Sequence, residues 1–180
     1  IYTFTASVVM LIGILVMYFN TGASISERSF DMIAMLDSGG QMSEGLRHLV
    51  WVLLLIGFAT KMPSVPVHTW LPDAHVQAPT AGSMILAGVM LKMGAYGFLR
   101  VAVTAFPEST VVFTPLLVFL GMASLAYGAW VCMGQSNLKR MVAYSSVSHM
   151  GLIFLGIATM QPLGIAGALF MMFAHGIISP

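Results

Sequence analysis

Four ionisable side chains lie inside or at the end of apolar stretches of this 180-residue sequence: Lys61, Lys92, His149 and His175. Amines and imidazoles are the groups that gain and lose protons most readily once burial has altered their surroundings. Removing an amine from water favours its neutral form, so a buried lysine can release a proton near neutral pH. Histidine titrates close to neutrality without help. Two lysines and two histidines at similar depth on different helices would make a lateral file of proton-exchange sites joined by water. The plainer alternatives are snorkelling or ion-paired lysines and histidines held in interhelical hydrogen bonds. Lys92 is the hardest to explain that way. A helix over about 81–105 is long enough to cross roughly 30 Å of hydrocarbon. Lys92 falls near its midpoint, where a charged amine costs about 3 kcal/mol on insertion scales.

The elements that position these groups must be membrane helices. Hydrophobic residues make up 58% of the chain and charged residues only 7%. That is far below the charged content of a soluble domain. A net charge of +1 gives no reason to expect nucleic acid as a partner; the lipid bilayer is the partner that composition demands. The single Cys132 excludes a disulfide within the chain and any cysteine-ligated zinc or iron–sulfur site. The 16 methionines suit adaptable packing between helices. The sequence starts at Ile1 already apolar and is read as a piece of a longer polypeptide.

The expected fold class is all-α, a polytopic transmembrane bundle of about six helices belonging to a larger fold. The helices are placed at about 1–19, 46–61 plus 67–77, 81–105, 111–133, 138–160 and 163–180, in a single domain over 1–180. A solvent loop fills 20–45, with a short surface helix over 29–36. The second span carries Lys61, Pro63 and Pro66 in succession. Proline removes a backbone donor and clashes with the preceding turn, so this helix must break. A broken helix is tolerated at membrane depth only where it is buried in protein or lines a wet cavity. Leu71–His75 with Pro79-Thr80 leads, as a membrane-edge segment, into the Lys92 helix. Phe106-Pro107-Glu108-Ser109 is a short loop. The Lys139-Arg140 pair assigns the loops at 62–80 and 134–140 to the cytoplasmic side.

Neighbours along each helix refine the candidates. Gly88, Ala95 and Tyr96 share a face with Lys92 by helical spacing. Ser145 and Ser148 share one with His149, where they are expected to hold water or fix the tautomer. Ala168 and Ser179 share one with His175. His68 and His75 are seven apart, which is not a metal-ligand spacing, and are read with Asp73 as loop and capping groups. His48, beside Arg47, is read as interfacial. No phosphate loop, dinucleotide fingerprint or nucleophile elbow is present.

Longer motifs carry a resemblance. They are Lys61-Met62-Pro63, Val65-Pro66-Val67-His68-Thr69-Trp70-Leu71-Pro72-Asp73-Ala74-His75, Ala78-Pro79-Thr80-Ala81-Gly82-Ser83, Leu91-Lys92-Met93-Gly94-Ala95-Tyr96-Gly97-Phe98-Leu99-Arg100 and Asn137-Leu138-Lys139-Arg140-Met141-Val142-Ala143-Tyr144-Ser145-Ser146-Val147-Ser148-His149-Met150-Gly151. Together they resemble the antiporter-like membrane subunits of respiratory complex I, the bacterial or mitochondrial NADH–quinone oxidoreductase. The resemblance covers about 49–179; the segment 20–45 carries no recognisable pattern. It implies a larger bundle of inverted repeats, each with one broken helix. It implies that Lys61, Lys92, His149 and His175 carry proton translocation, with Lys61 paired to a glutamate preceding Ile1. It also implies an inner-membrane translocase subunit with no cofactor and no metal of its own. NADH, flavin, iron–sulfur clusters and quinone would be bound by other subunits. Partners would be the other membrane subunits of complex I, including neighbouring antiporter-like subunits. Cation/proton antiporter subunits of the Mrp type share the helix pattern, as do subunits of membrane hydrogenases and photosynthetic complexes.

Overall fold

The computed structural model describes residues 1–22 and 24–179. Among them the chain is helical and has no strand. Helix α1 is Tyr2–Phe19. A seven-residue helix, α2 (Met32–Ser38), lies within the 20–45 segment, overlapping the short helix expected over 29–36 but beginning and ending later. Its N-cap is Asp31, whose carboxylate accepts from Ile33 N–H. Helix α3 is Glu44–Lys61 and α4 is Trp70–Gln77. Helix α5 is Thr80–Val103. Then follow α6 (Pro107–Val112), α7 (Thr114–Met133), α8 (Leu138–Ala158) and α9 (Pro162–Ile178). By length and composition α1, α5, α7 and α8 can each cross a membrane, while α9 is apolar but shorter.

A single domain over 1–180 is the sequence expectation; the described residues instead divide into two compact units. One comprises Ile1–Phe58 and Tyr96–Val112, the other Ala59–Ala95 and Phe113 onward. Two of the three divisions fall inside long helices, α3 and α5, and the third falls in the turn between α6 and α7. In the first unit Gly57 and Gly13 let α1 and α3 approach closely. A Cβ at Gly57 would lie 2.4 Å from Met10 Cβ. Trp51, fully buried, donates its indole N–H to Thr110 Oγ1 at 2.9 Å. Its ring meets Phe98 edge-on, 5.7 Å between centroids. His48 and Ser109 share a hydrogen bond of 2.9 Å, and Arg47 pairs with Glu108. Those two partners lie on or beside a helix where a loop was expected, because Pro107 serves as the first residue of α6. Proline fits there since its missing N–H would have no helical acceptor.

In the second unit α8 is the central strut, packed most extensively on α7 and also on α9 and α4. Glycines set the α7–α8 spacing. A Cβ at Gly128 would sit 2.6 Å from Ser148 N, and one at Gly151 would sit 2.6 Å from Gly121 O. Neither helix could carry a side chain there without moving apart. Small residues serve this purpose between membrane helices, where apolar burial gives little net drive for association.

Candidate functional site: a lysine and two histidines beside a broken helix

The break expected after Lys61 is present. α3 ends at that residue and helix resumes only at Trp70. The prolines act as predicted, and the Val65–Pro66 peptide is cis. Unsupported backbone at this depth would be costly, and it is not unsupported. Ser64 N–H donates to Ala59 O at 3.3 Å, and Trp70 Nε1 donates to Thr60 O at 2.8 Å. Val65 N–H donates to Ser124 Oγ on α7 at 2.9 Å. Met62 and Ser64 are fully buried, as an irregular segment inside a membrane must be. Lys61 itself is at the C-terminal end of α3, where the helix dipole favours a cation. Its side chain is exposed, and among the described residues no acid pairs with it. Its backbone packs against Gly94 of α5, where a Cβ would lie 2.8 Å from Met62 N.

Lys92, His149 and His175 come together. Lys92 Nζ lies 2.6 Å from His175 Nδ1 on α9. The amine also donates to the carbonyl of Ala87 on its own helix. That carbonyl lies in a π turn, Leu86–Met90, and a second π turn covers Phe98–Val103. Such turns are uncommon and concentrate at functional sites. Gly176 permits the contact: a Cβ there would lie 3.0 Å from Gly88 O and 3.8 Å from Lys92 Cε. His149 on α8 stands next in line, its ring 5.2 Å from that of His175 at an interplanar angle of 76°. A cavity of about 210 Å³ borders both rings, with Ser145 and Ser179 in its wall.

One imidazole nitrogen of each histidine is buried without a partner: Nδ1 of His149 and Nε2 of His175. Ser145 and Ser148 do not supply one. Ser145 Oγ donates to Val142 O at 2.7 Å and Ser148 Oγ to Leu125 O at 3.1 Å. Serines in helices commonly turn back onto the preceding carbonyls, and Ser148 instead fastens α8 to α7. On the far side Ser179 meets Ser146 at 3.2 Å. The arrangement can pass a proton between the amine and His175 Nδ1, and on toward His149.

His68 lies in the irregular segment between α3 and α4, as expected, whereas His75 is not a loop group. His75 is buried in α4, and His68 is buried against the rings of Tyr127 and Tyr144, 5.1 and 6.1 Å away. Each also has a buried nitrogen without a partner. The motif Leu71-Pro72-Asp73 hides this, since proline within the first turn of a helix reads like a loop signal. Asp73 pairs with Arg140 at 3.0 Å, and Lys139 donates to Ala78 O at 3.3 Å, tying α4 and the start of α5 to α8.

The whole chain, residues 1–180, matches the family described as NADH:quinone oxidoreductase/Mrp antiporter, TM. The chain belongs to this family. NADH-quinone oxidoreductase subunit M of Rickettsia prowazekii is 42% identical over 99% of the chain and 35% of its own length. Among solved structures, respiratory complex I from Thermus thermophilus with bound NADH superposes with a TM-score of 0.84. It is 31% identical over 98% of this chain and 36% of its own. The Mrp complex from Dietzia sp. DQ12-45-1b gives the same TM-score at 25% identity, over 99% of this chain and 32% of its own. The chain therefore spans about a third of the length of these relatives. The four helices long and apolar enough to span agree with the transmembrane character of this family.

Proposed function

We propose that this chain is the central part of a subunit-M-type membrane subunit of NADH–quinone oxidoreductase, and that it moves protons through the bacterial or mitochondrial inner membrane. The observation that carries the reading is the 2.6 Å contact between Lys92 Nζ and His175 Nδ1 at mid-span, with His149 next in line. In this reading Lys92, charged, gives a proton to His175 Nδ1 and is left neutral. The imidazolium passes a proton from Nε2 toward His149, and Lys92 is reloaded by water. Lys61, exposed at the helix break, is a separate exchange site whose acidic partner lies on another part of the longer polypeptide. Redox energy released elsewhere would drive the cycle by altering the charge balance at Lys61 and Lys92. The chain holds no cofactor of its own. NADH, flavin, iron–sulfur clusters and quinone belong to other subunits, and its partners are the other membrane subunits, neighbouring antiporter-like ones included.

The test is proton pumping and quinone reduction by the complex in reconstituted vesicles, with assembly measured separately. Lys92→Ala should assemble and fail to pump; a variant that pumps like the parent would remove Lys92 from the path. The equal TM-score of the Mrp complex supports a second reading, a cation/proton antiporter subunit. Co-purification separates the two. An NADH-oxidising arm supports the first, and a multi-subunit assembly without a redox centre supports the second.

A further inference from the structure

The unit formed by Ile1–Phe58 and Tyr96–Val112 contains a cavity that proton transfer does not use. It measures about 170 Å³ and is lined by nine side chains, all apolar. Met17 and Leu54, both fully buried, are in its wall, and Phe30 and Met32, both exposed, are at its edge. Ile14 also lines it. It lies five residues before the end of α1, so the cavity reaches roughly 7 Å along the helix into the membrane. With no polar lining it offers ordered water no partners. Something apolar and slender fits such a bore.

The edge adds a second, independent feature. Tyr18 stacks on Phe30, 4.1 Å between centroids and 10° between planes. Tyr18 also meets Phe19 edge-on, and the Arg28 guanidinium lies 5.1 Å from the Phe19 centroid. Aromatic rings of this kind mark the level of lipid headgroups. The nearby acids are occupied: Glu27 accepts from Ser24 N–H, and Asp31 caps α2. Arg28 makes one long hydrogen bond, Nε to Gly22 O at 3.5 Å, and no ion pair among the described residues. Its two terminal nitrogens form a fork suited to a phosphate. Around it Ile25, Phe30 and Ile33 are all exposed in a segment expected to be solvated, as suits a surface lying against lipid rather than water.

We propose that this is a binding site for an anionic membrane phospholipid, with one acyl chain in the apolar bore and the headgroup phosphate on Arg28. The site is independent of the proton path, so its test does not involve pumping. The full-length subunit in its complex is reconstituted with phosphatidylglycerol or phosphatidylcholine carrying a photoreactive group on one acyl chain. After illumination the labelled peptides are identified by mass spectrometry. Phosphatidylglycerol should label peptides covering 14–17 and 30–36 in preference to phosphatidylcholine. Arg28→Gln should lower the phosphatidylglycerol label there by about fivefold, the scale of one basic side chain at an anionic surface. Leu36→Trp, which fills the bore, should abolish the label from both lipids while leaving Arg28 in place. Equal labelling by the two lipids would overturn the anionic headgroup. An unlabelled bore in every protein, as expected if quinone or another helix of the polypeptide occupies it, would overturn the site altogether. So would a label that survives Leu36→Trp.

Discussion

In the unit containing Trp51 the interior polar side chains have partners in the chain itself. Trp51 is bonded to Thr110 and His48 to Ser109, and nearer the surface Arg47 pairs with Glu108. In the unit containing Lys92 four histidines each bury a nitrogen that has no partner among the described residues, and a lysine rests against an imidazole and a carbonyl. The same helical architecture and apolar composition thus serve two ends. A satisfied polar pair fixes one geometry and holds it. A contact between two titratable groups, such as the amine and imidazole of Lys92 and His175, lets a proton change partners. The difference teaches where to look for chemistry in a protein this apolar. The informative feature is the imidazole set against a charged amine, and not the buried polar residue as such.

Substitution can break that contrast. The largest effect is expected at Lys92. Lys92→Ala removes a proton site together with a costly charge, so assembly should persist while pumping falls at least about tenfold. Lys92→Arg keeps a charge that is not lost near neutral pH and should pump equally poorly. If the arginine variant pumps like the parent, Lys92 need only be positive, and the exchange role is wrong. Next comes His149→Ala, which should lower pumping roughly fivefold and affect assembly little. Normal pumping with unchanged coupling would leave His149 a packing residue and shorten the relay to Lys92 and His175.

The other unit should respond in the opposite sense. Trp51→Phe deletes the bond to Thr110 and puts a smaller ring in a fully buried site, so stability should fall by about 2 kcal/mol or more with the ratio of protons pumped to NADH oxidised unchanged. A changed ratio would show that the paired unit also takes part in coupling. Arg47→Gln should do least. Glu108 is 73% exposed, and such a surface pair contributes at most about 1 kcal/mol. A larger drop in the thermal midpoint than that of Trp51→Phe would reverse the ranking.

Much of this was legible in the residues. Low charge announced the membrane, Pro63 and Pro66 announced the break, and three of the four candidate groups meet as a file would require. Other features depend on facts no local pattern carries. Lys61 was expected among the buried groups, and its side chain is exposed in the described residues. Tyr96 was placed on the face of Lys92 and is exposed, whereas Ala95 is fully buried. Ser145 and Ser148 lie near His149 in the helical wheel, yet their hydroxyls go to backbone carbonyls. A helical wheel gives the direction of a Cα–Cβ bond and says nothing about which acceptor a hydroxyl selects. Phe106–Ser109 looked like a loop because Pro107 interrupts an apolar pattern, and proline at the head of a helix leaves the same trace.

The two π turns of α5 carry one more consequence. A turn of this kind contains one residue more than an α turn, and each residue of a regular helix advances the direction of its side chains by roughly 100°. The spacing between the start of α5 and Lys92 therefore includes a residue that regular winding would not need. Were the turn at 86–90 to rewind to α geometry with every residue kept, everything after it would swing by roughly 100° about the axis relative to what precedes it. The amine would then leave the His175 direction even though every side chain of the cluster is still encoded. The winding of this helix is as much a part of its chemistry as its lysine.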